Sequence, residues 1–96
     1  MIKSVSDFTE KVLNRDGVVL VDFFAKWCQP CKVLDNILKD FKEAAVVKID
    51  VEDGAAIAEV YMISSLPTVV AFRDGNVIGA LTGVFPKEKY LQLIGG

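Results

Sequence analysis

The sequence predicts an α/β fold in which a mixed sheet of about five strands carries helices on both faces. Three observations lead there. Strand-like apolar runs alternate with helix-like apolar stripes through the first two thirds of the chain. The run Val18–Ala25 is apolar at nearly every position rather than at alternate ones, as in a central strand covered on both sides. Towards the C-terminus two more strand-like runs flank Arg73-Asp74-Gly75-Asn76, a tight-hairpin signal. With 96 residues, 52% of them hydrophobic, the chain fits a single domain spanning residues 1–96. A chain of this size buries roughly 60–65% of its unfolded surface, enough for one core without metal or disulfide staples.

The elements follow in the order β-α-β-α-β-α-β-β-α. Ile2 to Val5 reads as a short strand, and Ser6 or Asp7 is placed to cap a helix carrying Phe8, Val12 and Leu13 on one face. That helix is expected to end near Asn14 to Gly17, ahead of the strand Val18–Ala25. Pro30 sits in the first turn of a second helix, where its missing N–H is harmless. Val33, Leu34, Ile37, Leu38 and Phe41 form that helix's apolar stripe, opposed by Lys32, Asp35, Lys39, Asp40 and Lys42. Ala45–Val51 reads as a strand, and Gly54 to Tyr61 as a short Ala-rich helix. Thr68–Phe72 and Val77–Leu81 form the hairpin strands. Pro86 opens a last helix with Tyr90, Leu91 and Ile94 inward and Gly95 as its stop. The early alternation calls for right-handed parallel crossovers; strand order within the sheet stays open.

Absences restrict the chemistry. There is no histidine, so no Ser-His or Cys-His pair, no imidazole shuttle and no His-ligated metal. A net charge of −2 argues against nucleic acid or an anionic membrane as a generic partner. No apolar stretch approaches the roughly 18–20 residues that span a bilayer, and Met1 to Asp7 turns polar too soon for a signal peptide. A cytoplasmic location is therefore expected. Two cysteines are too few for a disulfide framework, and they stand close together as Cys28-Gln29-Pro30-Cys31.

That motif falls where a buried strand ends and a helix begins. Cys28 lies at or just before the first helical residue, so its sulfur faces unpaired backbone N–H groups and the positive end of the helix dipole, which favour thiolate. Cys31 lies one turn on, near enough to close a disulfide ring. The arrangement suits two-step exchange, Cys28 attacking a substrate disulfide and Cys31 resolving the mixed disulfide. The competing readings are two buried small apolar residues, or a dimer whose two pairs share a zinc ion. Placement at a strand-to-helix junction behind Trp27 favours the redox reading, with no metal and no cofactor beyond the Cys28–Cys31 couple.

Asp22 stands inside the apolar run Val18–Ala25, where burial raises a carboxyl pKa towards neutrality. It is a candidate acid or base for the Cys31 thiol through water, unless its side chain escapes to a polar edge. Leu66-Pro67-Thr68 opens the fourth strand, with Pro67 at a strand start where no N–H is needed. Trp27, Ile63, Val84 and Phe85 are either ordinary packing residues or an apolar collar for an extended protein substrate, with Gly83 permitting close backbone approach.

The segment from Val21 to Lys32, with Leu66-Pro67-Thr68, Asp74-Gly75 and Gly83, resembles the thioredoxin family in residues, order and spacing over nearly the whole chain. The resemblance implies a thioredoxin fold and a protein-disulfide reductase with Cys28 as nucleophile and Cys31 as resolving thiol. It implies a buried aspartate at Asp22 and a neighbouring lysine at Lys48, which by itself reads equally well as a snorkelling surface residue. It also implies a cis Pro67 facing the active-site disulfide and keeping metal off the thiols, with Leu66 offering its backbone to a substrate strand. The implied partners are protein disulfides and a thioredoxin reductase, an NADPH-linked flavoprotein, serving a monomeric electron carrier.

Four departures stand out. Gln29 replaces the usual glycine before Pro30, which is expected to shift the redox potential. Phe24 stands where many relatives carry tryptophan, Asn36 replaces a helix-kinking proline, and the stretch before Lys48 is shorter. These leave room for a dedicated electron carrier or oxidant with one client, or for a binding subunit with incidental redox activity. A glutaredoxin is disfavoured because no glutathione-binding signature is evident.

Overall fold

A computed structural model describes residues 1–95. Its centre is a four-stranded sheet in the order β2-β1-β3-β4, formed by β1 (Val18–Phe24), β2 (Ala45–Asp50), β3 (Thr68–Arg73) and β4 (Asn76–Thr82). β1 pairs parallel with β2 and antiparallel with β3, and β3 pairs antiparallel with β4. The mixed sheet is therefore as expected, with β1 in its interior, which explains its two-sided apolar character.

The fifth expected strand, Ile2 to Val5, shrinks to a single parallel bridge from Ile2 to Ile49 beside β2. The reason is local. Ser4, rather than Ser6 or Asp7, is the helix cap, its Oγ accepting from the Asp7 N–H at 3.1 Å, so the chain turns into α1 (Val5–Phe8) before a strand can extend. The helix then widens into a π turn over Thr9–Leu13, with the Asn14 N–H donating to the Thr9 carbonyl at 2.8 Å.

Alternate residues of β1 point into two cores. Val19, Val21 and Phe23 pack with Phe8, Val12, Ile57 and Phe72, beneath α1 and α3 (Ala55–Val60). Leu20 packs on the opposite face with Leu34, Leu38, Phe41 and Tyr90, beneath α2 (Gln29–Leu38) and α4 (Lys87–Gly95). By its parity in the strand Asp22 belongs to this second face, within reach of α2. The α2 stripe is narrower than its spacing suggests: Leu34 and Leu38 are buried, whereas Val33 is 54% exposed. Phe41 is buried but lies beyond the helix, which stops at Leu38.

The hairpin between β3 and β4 turns at Asp74 (φ 51°) and Gly75 (φ 84°), both left-handed as a type I′ turn requires. A side chain on Gly75 would also collide with the Leu13 carbonyl oxygen. Asp74 ties this turn to the start of β1, its Oδ1 accepting from the Gly17 N–H at 2.7 Å.

Candidate active site

β1 ends at Phe24, and Ala25 to Trp27 lead into α2 with Cys28 as its N-cap. Cys28 Sγ accepts from the Cys31 N–H at 3.2 Å, so the sulfur occupies the place that a capping oxygen normally takes. The first-turn N–H groups and the helix dipole then favour negative charge on Cys28 once the pair is reduced. The two cysteines form a disulfide, with Cα atoms 5.3 Å apart. Both are buried, in a small cluster with Phe24 and Ala25 against which Val51 and Leu66 pack. Pro30 holds the first turn of α2.

A cleft of about 580 Å³ opens at this end of the sheet, lined by Trp27, Cys28, Gln29, Pro30, Val51, Ile63, Ser64 and Leu66. Cys28 borders it and Cys31 does not. Trp27 stands over it 68% exposed, an unusual position for so large an apolar ring. The Leu66–Pro67 peptide is cis. Thr68, the first residue of β3, is buried and donates through Oγ1 to the Ser65 carbonyl at 2.6 Å, which secures the bend into the strand.

Trp27 and Ile63 line the cleft, while Val84 and Phe85 pack half-buried against the core under α2 and α4. Gly83, with φ 102°, donates its N–H to the Pro67 carbonyl at 2.8 Å and so lies beside the cis bond. Nothing in the sequence marks Val51 or Ser64 as site residues; only the chain path brings them to the cleft. Tyr90 reads from sequence merely as an inward-facing residue of α4. Its hydroxyl in fact accepts from the Phe85 N–H at 3.3 Å and donates to the Gly83 carbonyl at 3.4 Å, clamping the loop that follows β4.

Asp22 is 1% exposed, and its Oδ1 has no hydrogen-bond partner. Its carboxyl does not escape to the edge of the sheet. Burial pushes its pKa up from an ordinary 3.8 to about 7, against the lowering influence of Lys48 and with a further push from Asp35. Lys48 faces Asp22 in the β1–β2 register. A second cavity, of about 330 Å³, is lined by Asp22, Asp35, Leu38, Lys39, Val46 and Lys48. Asp35, which the sequence places on a solvated helix face, thus belongs to the surroundings of Asp22.

Among the described residues no cluster of three or more His, Cys, Asp or Glu is arranged to hold a metal ion, and no helix is long and apolar enough to cross a membrane. What the site offers is a sulfur pair that stores two electrons, one sulfur bordering a cleft and a carboxyl poised near neutrality within the same fold. On this sheet topology that chemistry defines a thiol-disulfide oxidoreductase.

Comparison with known proteins agrees. The Thioredoxin family model matches residues 1–95. The chain is 36% identical to a thioredoxin of Chlamydia pneumoniae, covering 98% of this chain and 96% of that one. It is 37% identical to a thioredoxin of Staphylococcus aureus, covering 93% of this chain and 88% of that one. A solved mutant thioredoxin from Halobacterium salinarum superposes with a TM-score of 0.86 at 33% identity, over 97% of this chain and 84% of that one. The chain belongs to the thioredoxin family and is a protein-disulfide oxidoreductase that works by dithiol-disulfide exchange. Membership implies interaction with a thioredoxin reductase and with disulfide-bearing substrates.

Proposed function

We propose that Cys28 is the nucleophile, Cys31 the resolving thiol and Asp22 the group that takes the Cys31 proton. The observation that carries the assignment is the cleft, which is bordered by Cys28 and not by Cys31. In the reduced protein the Cys28 thiolate attacks one sulfur of a substrate disulfide. A Cys28–substrate bond forms, the substrate S–S bond breaks, and one substrate thiolate leaves. Cys31 then passes its proton to Asp22 by way of water, and its thiolate attacks Cys28 Sγ. The mixed disulfide breaks, the Cys28–Cys31 bond closes, and the second substrate thiolate leaves. Two electrons have moved from the dithiol to the substrate, and the reductase returns them. A carboxyl with a pKa of about 7 is matched to this step, since it is partly ionised at neutral pH and can both accept and return a proton.

The substrate lies as an extended strand along Leu66, Pro67 and Thr68, with Trp27 and Ile63 as its apolar support and Gly83 leaving room beside the cis bond. Gln29, at the rim of the cleft, tunes the stability of the Cys28 thiolate and with it the potential. Lys48, beside Asp22 in the sheet register, favours the Asp22 carboxylate through its positive charge without pairing with it. The reductase is an NADPH-linked flavoprotein. The protein acts as a monomeric, cytoplasmic single domain spanning residues 1–96, with no cofactor other than its own disulfide.

Trapping tests the assignment. A Cys31→Ser variant should accumulate mixed disulfides with its substrates, while Cys28→Ser should accumulate none. Equal trapping by both variants would reverse the roles of the two cysteines. Failure of the native protein to reduce an insulin-type disulfide, with dithiothreitol or with reductase, would defeat the reductase reading.

A further inference from the structure

The cavity beside Asp22 holds more charge than the exchange chemistry uses. Asp22 is buried at its wall with Oδ1 unpaired, and Lys48 stands opposite on β2. An ammonium so placed would ordinarily pair with the buried carboxylate, because an unpaired buried charge is far costlier than a paired one. It does not do so here. Lys48 Nζ donates instead to Asp35 Oδ1 at 2.6 Å and sits 4.3 Å from the centre of the Phe24 ring. Asp35 lies on α2 one turn beyond Cys31, on the same side of the helix. Of the other elements around Asp22, the end of α2 adds one further cation, the exposed Lys39, which forms no ion pair with Asp22 among the described residues. β2 contributes Lys48; α2 contributes Asp35, with Lys39 as its C-cap; β3 places the apolar Val69 opposite Asp22; α4 contributes Tyr90, whose hydroxyl is engaged with Gly83 and Phe85.

We propose that Asp35 is a positioning residue for the proton step: by holding the Lys48 ammonium on its own side of the cavity, it keeps that cation from pairing with Asp22 and leaves Asp22 free to exchange the Cys31 proton. Two effects act in the same direction. Asp35 withholds the cation that would fix Asp22 as a carboxylate, and its negative charge disfavours a second one nearby. Without Asp35 the flexible lysine stem can carry Nζ across the cavity to Asp22. Asp22 would then remain ionised through the neutral range and accept a proton poorly. The inference rests on Asp22 as the acceptor for Cys31, and it adds a residue that the sequence assigns to solvent.

The experiment follows the Asp22 carboxyl by carbon NMR across pH 4 to 9 in the oxidised protein. The proteins compared are the native chain, Asp35→Asn, Lys48→Met and the double variant. Pairing with an opposite charge lowers a carboxyl by about 1–3 pH units, so Asp35→Asn should lower the Asp22 midpoint by at least about 1 unit. Lys48→Met should raise it. In the double variant, with no Lys48 to release, Asp35→Asn should produce less than half of its single-variant shift. The pH profile of mixed-disulfide resolution should move with the NMR midpoint. Asp35 is 44% exposed at its side chain, so Asn is readily accommodated, and Asp35→Ala serves as a second replacement. An unmoved midpoint in Asp35→Asn and Asp35→Ala would overturn the proposal, as would an equal shift with and without Lys48. An Asp22→Asn variant separates the two levels: if it resolves mixed disulfides with an unchanged pH profile, Asp22 is not the proton acceptor, whatever the NMR reports on Asp35.

Discussion

Replacing Asp22 by asparagine should remove most of the pH dependence of this protein's stability between pH 4 and 8. The carboxyl titrates near 7 when folded and near 3.8 otherwise. Between those values the folded state binds a proton that the unfolded state has released, so stability falls as pH rises and levels off above pH 7. Each pH unit corresponds to about 1.4 kcal/mol, which makes the full loss about 4 kcal/mol, of which about 3 kcal/mol falls between pH 5 and 8. The chain has no histidine, and the disulfide-bonded cysteines do not titrate, so neither imidazole nor thiol adds to this slope. With a urea slope of about 1–3 kcal/mol per molar, the denaturation midpoint of the oxidised native protein should fall by roughly 1–3 M from pH 5 to pH 8. Asp22→Asn should be nearly flat over the same range and the more stable of the two above pH 7. A native midpoint as flat as the variant's would refute the burial argument. So would a variant that keeps the native slope.

Other expectations follow from single residues. Met62 adopts φ 53° and is 86% exposed, so it bears left-handed strain with no compensating burial. Met62→Gly should raise stability by about 1 kcal/mol in urea denaturation, and a loss of stability would contradict this reading. Tyr90→Phe keeps the buried ring but removes the hydroxyl shared by Phe85 N–H and Gly83 C=O. It should cost about 1 kcal/mol and speed amide exchange at Phe85, whereas unchanged exchange would show that the hydroxyl does not hold the loop.

The legible parts of the fold are those specified by neighbours along the chain. The two-sided apolar run Val18–Phe24 marks a central strand because such a run suits no half-exposed position. Asp74-Gly75 marks a hairpin because few residue pairs accept two consecutive left-handed conformations. The first strand misleads because Ile2 to Val5 has strand-like residues, yet a serine cap four residues in recruits the chain to a helix. Residue type alone does not decide that competition. Val33 looks inward-facing because helical spacing defines a stripe without defining how wide a neighbouring sheet will cover it.

The site divides along the same line. Cys28-Gln29-Pro30-Cys31 at a strand-to-helix junction was enough, by itself, to favour thiol exchange over buried packing or a shared zinc and to put the first sulfur at a helix N-terminus, because capping and dipole are properties of adjacent residues. The absence of histidine likewise determined that no imidazole serves as proton partner. Tertiary structure alone decided which sulfur borders the cleft, that Val51 and Ser64 join its lining, and that Lys48 turns to Asp35 rather than to Asp22. Those outcomes depend on how β1, β2 and α2, and the segments that follow β2 and α3, sit relative to one another in space. Charges interact through space, so the partner of a buried charge is set by how the layers pack.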